Sequence, residues 1–397
     1  MRRPIVLVVV VALGLATACG SGQDDAASPP TTASVAAPAP LPPGQDLYAP
    51  PDGLRNGPAG SVVWFDEQPS IGAARAWRTL SRSTGFDGAP TWVTGAVYRP
   101  TGPAPDGGFP VLVWAHGTAG TADSCAPSRA GATVPAISDL LQAGFVVVAP
   151  DGTGLGPPGP AQYLIGASEG HAVLDAARAA RQVPGADAGT EAALWGYSSG
   201  GQAVLFAAEQ ADDYAPDLTL LGTAAVAPVS DVARFAGSSA AFPLTFGWAF
   251  LTFGAWAPVY DADLSTIFPP GVLDELSLLD DECSTTIAPH FALTPIDELR
   301  VADPLTTPPW PDLLAQNEAG TEGTDAPVLL VQGSDDPIVA PESSEALSGR
   351  LCDLGVDVEL RMVPGEAHDV VLAKAGEVAR WLADRARGAP TAPTCSP

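Results

Sequence analysis

Four short runs of unbroken apolar residues constrain this 397-residue chain more than any other feature: Val111-Leu112-Val113-Trp114, Phe145-Val146-Val147-Val148, Ala193-Leu194-Trp195 and Val328-Leu329-Leu330-Val331. A strand with one face in water alternates apolar and polar residues. A run without alternation is therefore buried on both faces, as in a parallel sheet with helices packed on each side. Further strand candidates lie at 62–66, 93–98, 220–225 and 356–363. Helical patterns fall near 134–143, 169–182, 200–210, 342–353 and 370–387. This alternation predicts an α/β fold with a mostly parallel central sheet flanked by helices.

The rhythm breaks once. Residues 230–310 hold no clear buried strand, yet 235–268 carries nine aromatic residues. Phe242, Phe246, Phe250 and Phe253 are spaced i, i+4, i+8 and i+11, on one helical face. The stripe reads either as ordinary core or as the underside of a helical cap, inserted after the sixth strand candidate. Such a cap would cover a pocket at the carboxyl ends of the strands, where ligands bind in open α/β sheets. The expected division is a core of residues 56–229 and 311–397 with a cap of residues 230–310.

The N-terminus reads as an export segment. Met1-Arg2-Arg3 is basic and 5–18 is almost wholly apolar, too short to span a bilayer comfortably but suited to a cleavable signal of residues 1–18. It closes on Ala16-Thr17-Ala18-Cys19-Gly20, which resembles a bacterial lipoprotein signal with Cys19 as the lipidated residue; plain cleavage there would leave a free thiol. Residues 19–55 then read as that cysteine followed by a disordered Ala/Pro/Ser/Thr tether. The expected location is the outer face of the cytoplasmic membrane, or secretion. With Cys19 set aside, Cys125, Cys283, Cys352 and Cys395 remain for two disulfides, in any of three pairings.

Charge narrows the partners. With 18 Lys and Arg against 45 Asp and Glu, the formal net charge is −27. A nucleic-acid partner needs a basic face, so it is excluded, as is attachment to anionic lipid by a basic patch. Membrane contact is left to the N-terminal lipid.

The chemistry gathers at three places. Gly196-Tyr197-Ser198-Ser199-Gly200-Gly201 follows an apolar strand and opens a helical run. A Gly-x-Ser-x-Gly turn between strand and helix is the nucleophile elbow: the turn is too tight for side chains two before and two after the serine. Ser199 is excluded as the nucleophile because Tyr197, two before it, is bulky. Of the four histidines, His171 sits within a helical stretch, His290 in the cap and His116 just after a buried strand. His368, in the loop after the last strand candidate, is the expected general base. Asp336, in the loop after the strand at 328–332 and just before Pro337, is the expected acid; Asp335 is its rival. The order Ser198, Asp336, His368 is that of α/β-hydrolases. The loop Ala115-His116-Gly117-Thr118-Ala119-Gly120 brings small residues up to a substrate carbonyl. The N–H groups of Ser199 and of one residue within 118–120, assigned to Thr118, are the expected oxyanion donors, with His116 buttressing the loop.

His116-Gly117-Thr118 with Cys125-Ala126-Pro127-Ser128, the Gly196–Gly201 elbow and a cap inserted before the acid loop together resemble the secretory lipase family. The resemblance covers roughly residues 60–395. It implies an α/β-hydrolase fold with a helical lid, triacylglycerol lipase or carboxylesterase activity on an ester or lipid substrate, and no cofactor. It also implies the pairings Cys125–Cys283 and Cys352–Cys395. Where some members carry an acidic residue just before the Cys-Ala-Pro-Ser element, this chain has Thr118. No metal site is expected, since the sequence has no His-Glu-x-x-His pattern. Two other readings of the same scaffold are a secreted serine peptidase or amidase and a non-catalytic lipid-binding lipoprotein.

Overall fold

The computed structural model describes residues 37–131 and 133–395. The expected signal 1–18 and the lipidation site Cys19 lie outside the described residues. Among those described, ten strands form one sheet: β1 (Ala39–Pro40), β2 (Val62–Ile71), β3 (Ala74–Thr84), β4 (Pro90–Arg99), β5 (Phe109–Ala115), β6 (Val146–Pro150), β7 (Ala188–Tyr197), β8 (Thr219–Val226), β9 (Val328–Gly333) and β10 (Val358–Val363). Their order in space is β1-β2-β3-β4-β6-β5-β7-β8-β9-β10. The pairs β2/β3, β3/β4 and β4/β6 are antiparallel, and every pair from β6 to β10 is parallel.

The four apolar runs fall on β5, β6, β7 and β9, and their side chains divide between the two faces as the pleat requires. Val111, Val113, Val146, Val148, Leu194 and Leu330 face one core, which the helices Gly166–Ala180, Ser199–Tyr214 and Pro341–Asp353 close. Leu112, Trp114, Val147, Trp195, Leu329 and Val331 face the other, closed chiefly by Val370–Ala386. Because β5 lies between β6 and β7, the chain leaves β5 to one side and later returns on the other. The loops after β5 and β7 therefore part at adjacent strand ends, which makes a cleft at the sheet's carboxyl edge.

Three expectations change. The strand β3 had no counterpart in the sequence reading; its Ala-Arg-Ala-Trp-Arg-Thr-Leu-Ser-Arg-Ser-Thr mixes small, charged and hydroxyl residues without a clear apolar period. The tether expected to run to residue 55 gives way earlier to packed chain, since Ala39 and Pro40 pair with Trp64 and Phe65 and both Leu47 and Tyr48 are buried. The insertion between β8 and β9 also runs past residue 310, because Trp310 and Leu314, on the helix Trp310–Gln316, lie in its core.

That insertion has a hydrophobic core of its own. The helix Phe246–Tyr260 is apolar on every side, the composition of a helix enclosed by others rather than facing water. Phe246, Phe250 and Phe253 are fully buried, and their rings meet Phe268, Phe291 and Trp310 at centroid distances of 5.1–6.4 Å. Phe242 precedes the helix and is 64% exposed. Apart from Phe242, the aromatic stripe is core.

Both disulfides join the pairs named above, Cys125–Cys283 and Cys352–Cys395. The first ties the loop after β5 to the insertion; the second holds the C-terminal segment to the helix Pro341–Asp353.

Candidate active site

Ser198 sits between β7 and the helix Ser199–Tyr214 with φ 56° and ψ −118°, a strained conformation for a residue with a side chain. The flanking glycines are obligatory. A Cβ on Gly196 would come within 2.0 Å of the Gly200 carbonyl oxygen, and one on Gly200 within 2.1 Å of the Ala115 carbonyl oxygen. The turn lifts the Ser198 hydroxyl above the sheet at the start of a helix, where unpaired N–H groups face the ligand side.

The structure brings Ser198, His368 and Asp336 together. Oγ of Ser198 is 3.0 Å from Nε2 of His368, and Nδ1 of His368 is 2.7 Å from Oδ2 of Asp336. Ser198 and Asp336 are buried, and the His368 ring lies 5.1 Å from that of Tyr197. The loops carrying the acid and the histidine are stitched to each other. The Asp335 N–H donates to the Glu366 carbonyl, the Ser334 N–H to the Val363 carbonyl, and the Gly365 N–H to Oγ of Ser334.

Asp336 is held on both carboxylate oxygens. Oδ1 accepts the N–H groups of Ile338 and Val339 at 2.8 and 2.9 Å, and Oδ2 accepts Nε2 of Gln332 at 2.9 Å. Burial alone would raise its pKa, but the bond and charge of His368, with these two N–H groups, outweigh burial and hold it below the usual carboxylate value. Gln332 is the residue the sequence reading missed. It is fully buried at the end of β9, donates also to the carbonyls of Gly333 and Val339, and accepts the Ser344 hydroxyl. Asp335 is exposed and takes only the Ser334 hydroxyl.

The other histidines are engaged elsewhere. His171 lies with Nδ1 3.0 Å from the Thr84 carbonyl and stacks on Tyr214 at 3.9 Å. Burial lowers its pKa. His290 faces Glu275 across 3.6 Å in the insertion. His116 places Nδ1 2.6 Å from the Gly117 carbonyl oxygen and Nε2 3.0 Å from that of Asp151. Both of its ring nitrogens face carbonyl oxygens and neither is paired with the Ser198 hydroxyl. Asp151 is itself fixed by Thr94 and by the backbone and hydroxyl of Ser128 in the Cys-Ala-Pro-Ser element.

The loop after β5 packs against Ser198: a Cβ on Gly117 would lie 3.5 Å from the Ser198 Cβ. The Gly117 carbonyl faces His116, so in a trans peptide the Thr118 N–H points the opposite way. Neither that N–H nor the Ser199 N–H has an acceptor among the described residues. Thr118 is pinned by the Tyr163 hydroxyl on its Oγ1 and by the Ser284 hydroxyl on its carbonyl, while the Ser284 N–H donates to the Ala119 carbonyl. Two free amides beside a serine in hydrogen-bonded succession with an imidazole and a carboxylate form a constellation suited to acyl transfer. Among the described residues, no group of three or more His, Cys, Asp or Glu is placed to hold a metal ion.

The parallel sheet, the elbow after β7 and the acid and histidine loops after β9 and β10 define an α/β-hydrolase. Candida antarctica lipase A in its closed state superposes with a TM-score of 0.76 at 19% identity, over 89% of this chain and 88% of that one. Residues 128–393 match the family model described as secretory lipase, and the chain belongs to that family. Among its relatives are the "Probable inactive lipase MT1628" of Mycobacterium tuberculosis, 28% identical over 88% of this chain and 83% of its own, and the "Secreted triacylglycerol lipase LIP4" of Malassezia globosa, 28% identical over 88% and 82%.

Proposed function

We propose that the chain is an exported serine ester hydrolase, a lipase or carboxylesterase acting through an acyl-enzyme. The carrying observation is the unbroken succession of Ser198, His368 and Asp336 at 3.0 and 2.7 Å. His368 takes the Ser198 proton as Oγ attacks the ester carbonyl. Asp336 orients the imidazole and offsets its new charge, and the oxyanion accepts hydrogen bonds from the N–H groups of Thr118 and Ser199. His368 then passes the proton to the departing alcohol, and later activates the water that releases the acid.

Membership of the secretory lipase family and two disulfides support export. Lipidation at Cys19 completes the proposed placement outside the membrane.

Replacing Ser198 by Ala is expected to lower kcat on p-nitrophenyl esters by about 10⁶ with an unchanged fold. Turnover near that of the unaltered protein would refute the assignment. Parallel assay of peptide anilides tests the amidase alternative, which requires those substrates to be cleaved faster than the esters.

A further inference from the structure

Beside the two free amides lies a cavity of about 50 Å³ with Thr118, Tyr163, Glu169 and Ser199 among its walls. Ser198, His368 and Asp336 are all absent from its walls, which meet the turn after β7 at Ser199 and Gly200. The departing alcohol must take its proton from His368, so it leaves on the histidine side. The oxyanion takes the two N–H groups, and the acyl group projects away from His368, on the side where Thr118 and Ser199 wall the cavity.

We propose that this cavity is the acyl pocket and that Glu169 is the specificity residue that limits it to short acyl groups, acetyl to butyryl. The inference rests on the ester-hydrolase reading and names its substrate class. A space of 50 Å³ holds about three to five waters, at ~10–15 Å³ each on this measure, which is the reach of a short chain of about that many heavy atoms. Its walls come from residues 115–120, 150–173 and 199–203, all in the core. No residue of the insertion contributes, so movement of the cap leaves the depth of the pocket unchanged.

Glu169 stands in the first turn of the helix Gly166–Ala180. Its Oε1 accepts the Thr153 N–H at 3.3 Å, and both carboxyl oxygens lie over Gly152, within 3.1 and 3.3 Å of where a Cβ would be. Oε2 has no protein partner among the described residues. Alanine and glycine make up much of the remaining wall, including Ala115, Ala172 and Ala203, beside Asp151, Leu155 and Val173. A longer chain would have to displace the carboxyl or press methylenes against an unpaired polar oxygen, and either costs binding energy. Burial pushes the Glu169 pKa up to about 8, which favours the uncharged acid beside an apolar acyl chain at neutral pH.

The test is a series of p-nitrophenyl esters from acetate to dodecanoate, hydrolysed by the full chain and by Glu169→Ala, Glu169→Asp and Glu169→Gln. The unaltered protein is expected to show kcat/KM at least tenfold lower on octanoate than on butyrate. Glu169→Ala should raise the octanoate-to-acetate ratio by tenfold or more, Glu169→Asp by less, and the equal-sized Glu169→Gln should keep the original ratio. A ratio within one variant is independent of the fraction folded, so a general structural loss would not move it. Equal turnover of butyrate and octanoate by the unaltered protein, or an unmoved ratio in both Glu169→Ala and Glu169→Asp, would overturn the proposal while leaving the ester-hydrolase reading intact. No turnover of any ester would instead defeat that reading.

Discussion

Gln332 and Asp336 show how one buried side chain prepares another. The buried Asp336 carboxylate is aimed at Nδ1 of His368, and its neighbours supply three further hydrogen bonds that favour its ionised form. Asp336→Asn is expected to lower kcat by about 10⁴, because the amide stabilises the wrong imidazole tautomer; steady-state rates on p-nitrophenyl acetate check this. Gln332→Leu leaves the carboxylate two N–H donors but strands the Ser344 hydroxyl, and should cost about 2 kcal/mol of stability, read from denaturant unfolding. A change under 0.5 kcal/mol would show that the amide is incidental. Ser198, Asp336 and His368 were legible in the sequence because each follows a strand in a loop with few rival residues. Gln332 was not, since a single polar residue closing an apolar run looks like the end of a strand. Glu169 carried no motif; only folding brings the first turn of its helix to the cavity that the loop after β5 also lines.

Among the elements, the loop after β5 and segment 279–284 of the insertion behave as one piece. Cys125–Cys283 joins them covalently, Ser284 bonds to Thr118 and Ala119, and the Thr121 hydroxyl reaches the Leu279 carbonyl. The disulfide closes a separation of 158 residues, worth up to about 5 kcal/mol in the chain-entropy model. Replacing Cys125 and Cys283 by Ala is expected to lower both Tm and kcat, because the peptide carrying the Thr118 carbonyl loses its anchor. The same change at Cys352 and Cys395 should lower Tm alone. Equal kcat losses in the two double variants would argue against a link between disulfide and oxyanion loop. The parallel strands were readable because burial on both faces leaves an apolar run. The antiparallel β3 and the packed stretch from Ala39 were not, the first lacking a clear period and the second held by isolated large residues, Leu47 and Tyr48. The aromatic stripe was ambiguous for a related reason: periodicity marks which face is apolar, not whether protein or ligand covers it.

Acid groups dominate the chain's response to pH. Burial raises Glu169 to about 8, Glu209 and Glu318 to about 7 and Asp175 to about 6. Each holds its proton more tightly when folded, so its contribution to stability is complete below the ordinary carboxyl value and is lost as pH rises through these numbers. Asp336 acts oppositely, its contribution present above the ordinary carboxyl value and lost as pH falls through its lowered one. Self-repulsion within a net charge of −27 adds to the loss at high pH. Tm is therefore expected to climb as pH falls from about 8.5 to about 5, and to drop again below about 4. A Tm that instead declined steadily from pH 8 to 6 in thermal scans would contradict the buried-acid account.

The most direct measurement is reaction of the intact protein with a fluorophosphonate, followed by peptide mass spectrometry to locate the adduct. An activated hydroxyl at 198 predicts one adduct per chain on the peptide containing Ser198, loss of esterase activity in step with labelling, and no adduct in Ser198→Ala. Labelling at another residue, or an unlabelled Ser198 in folded protein, would contradict it.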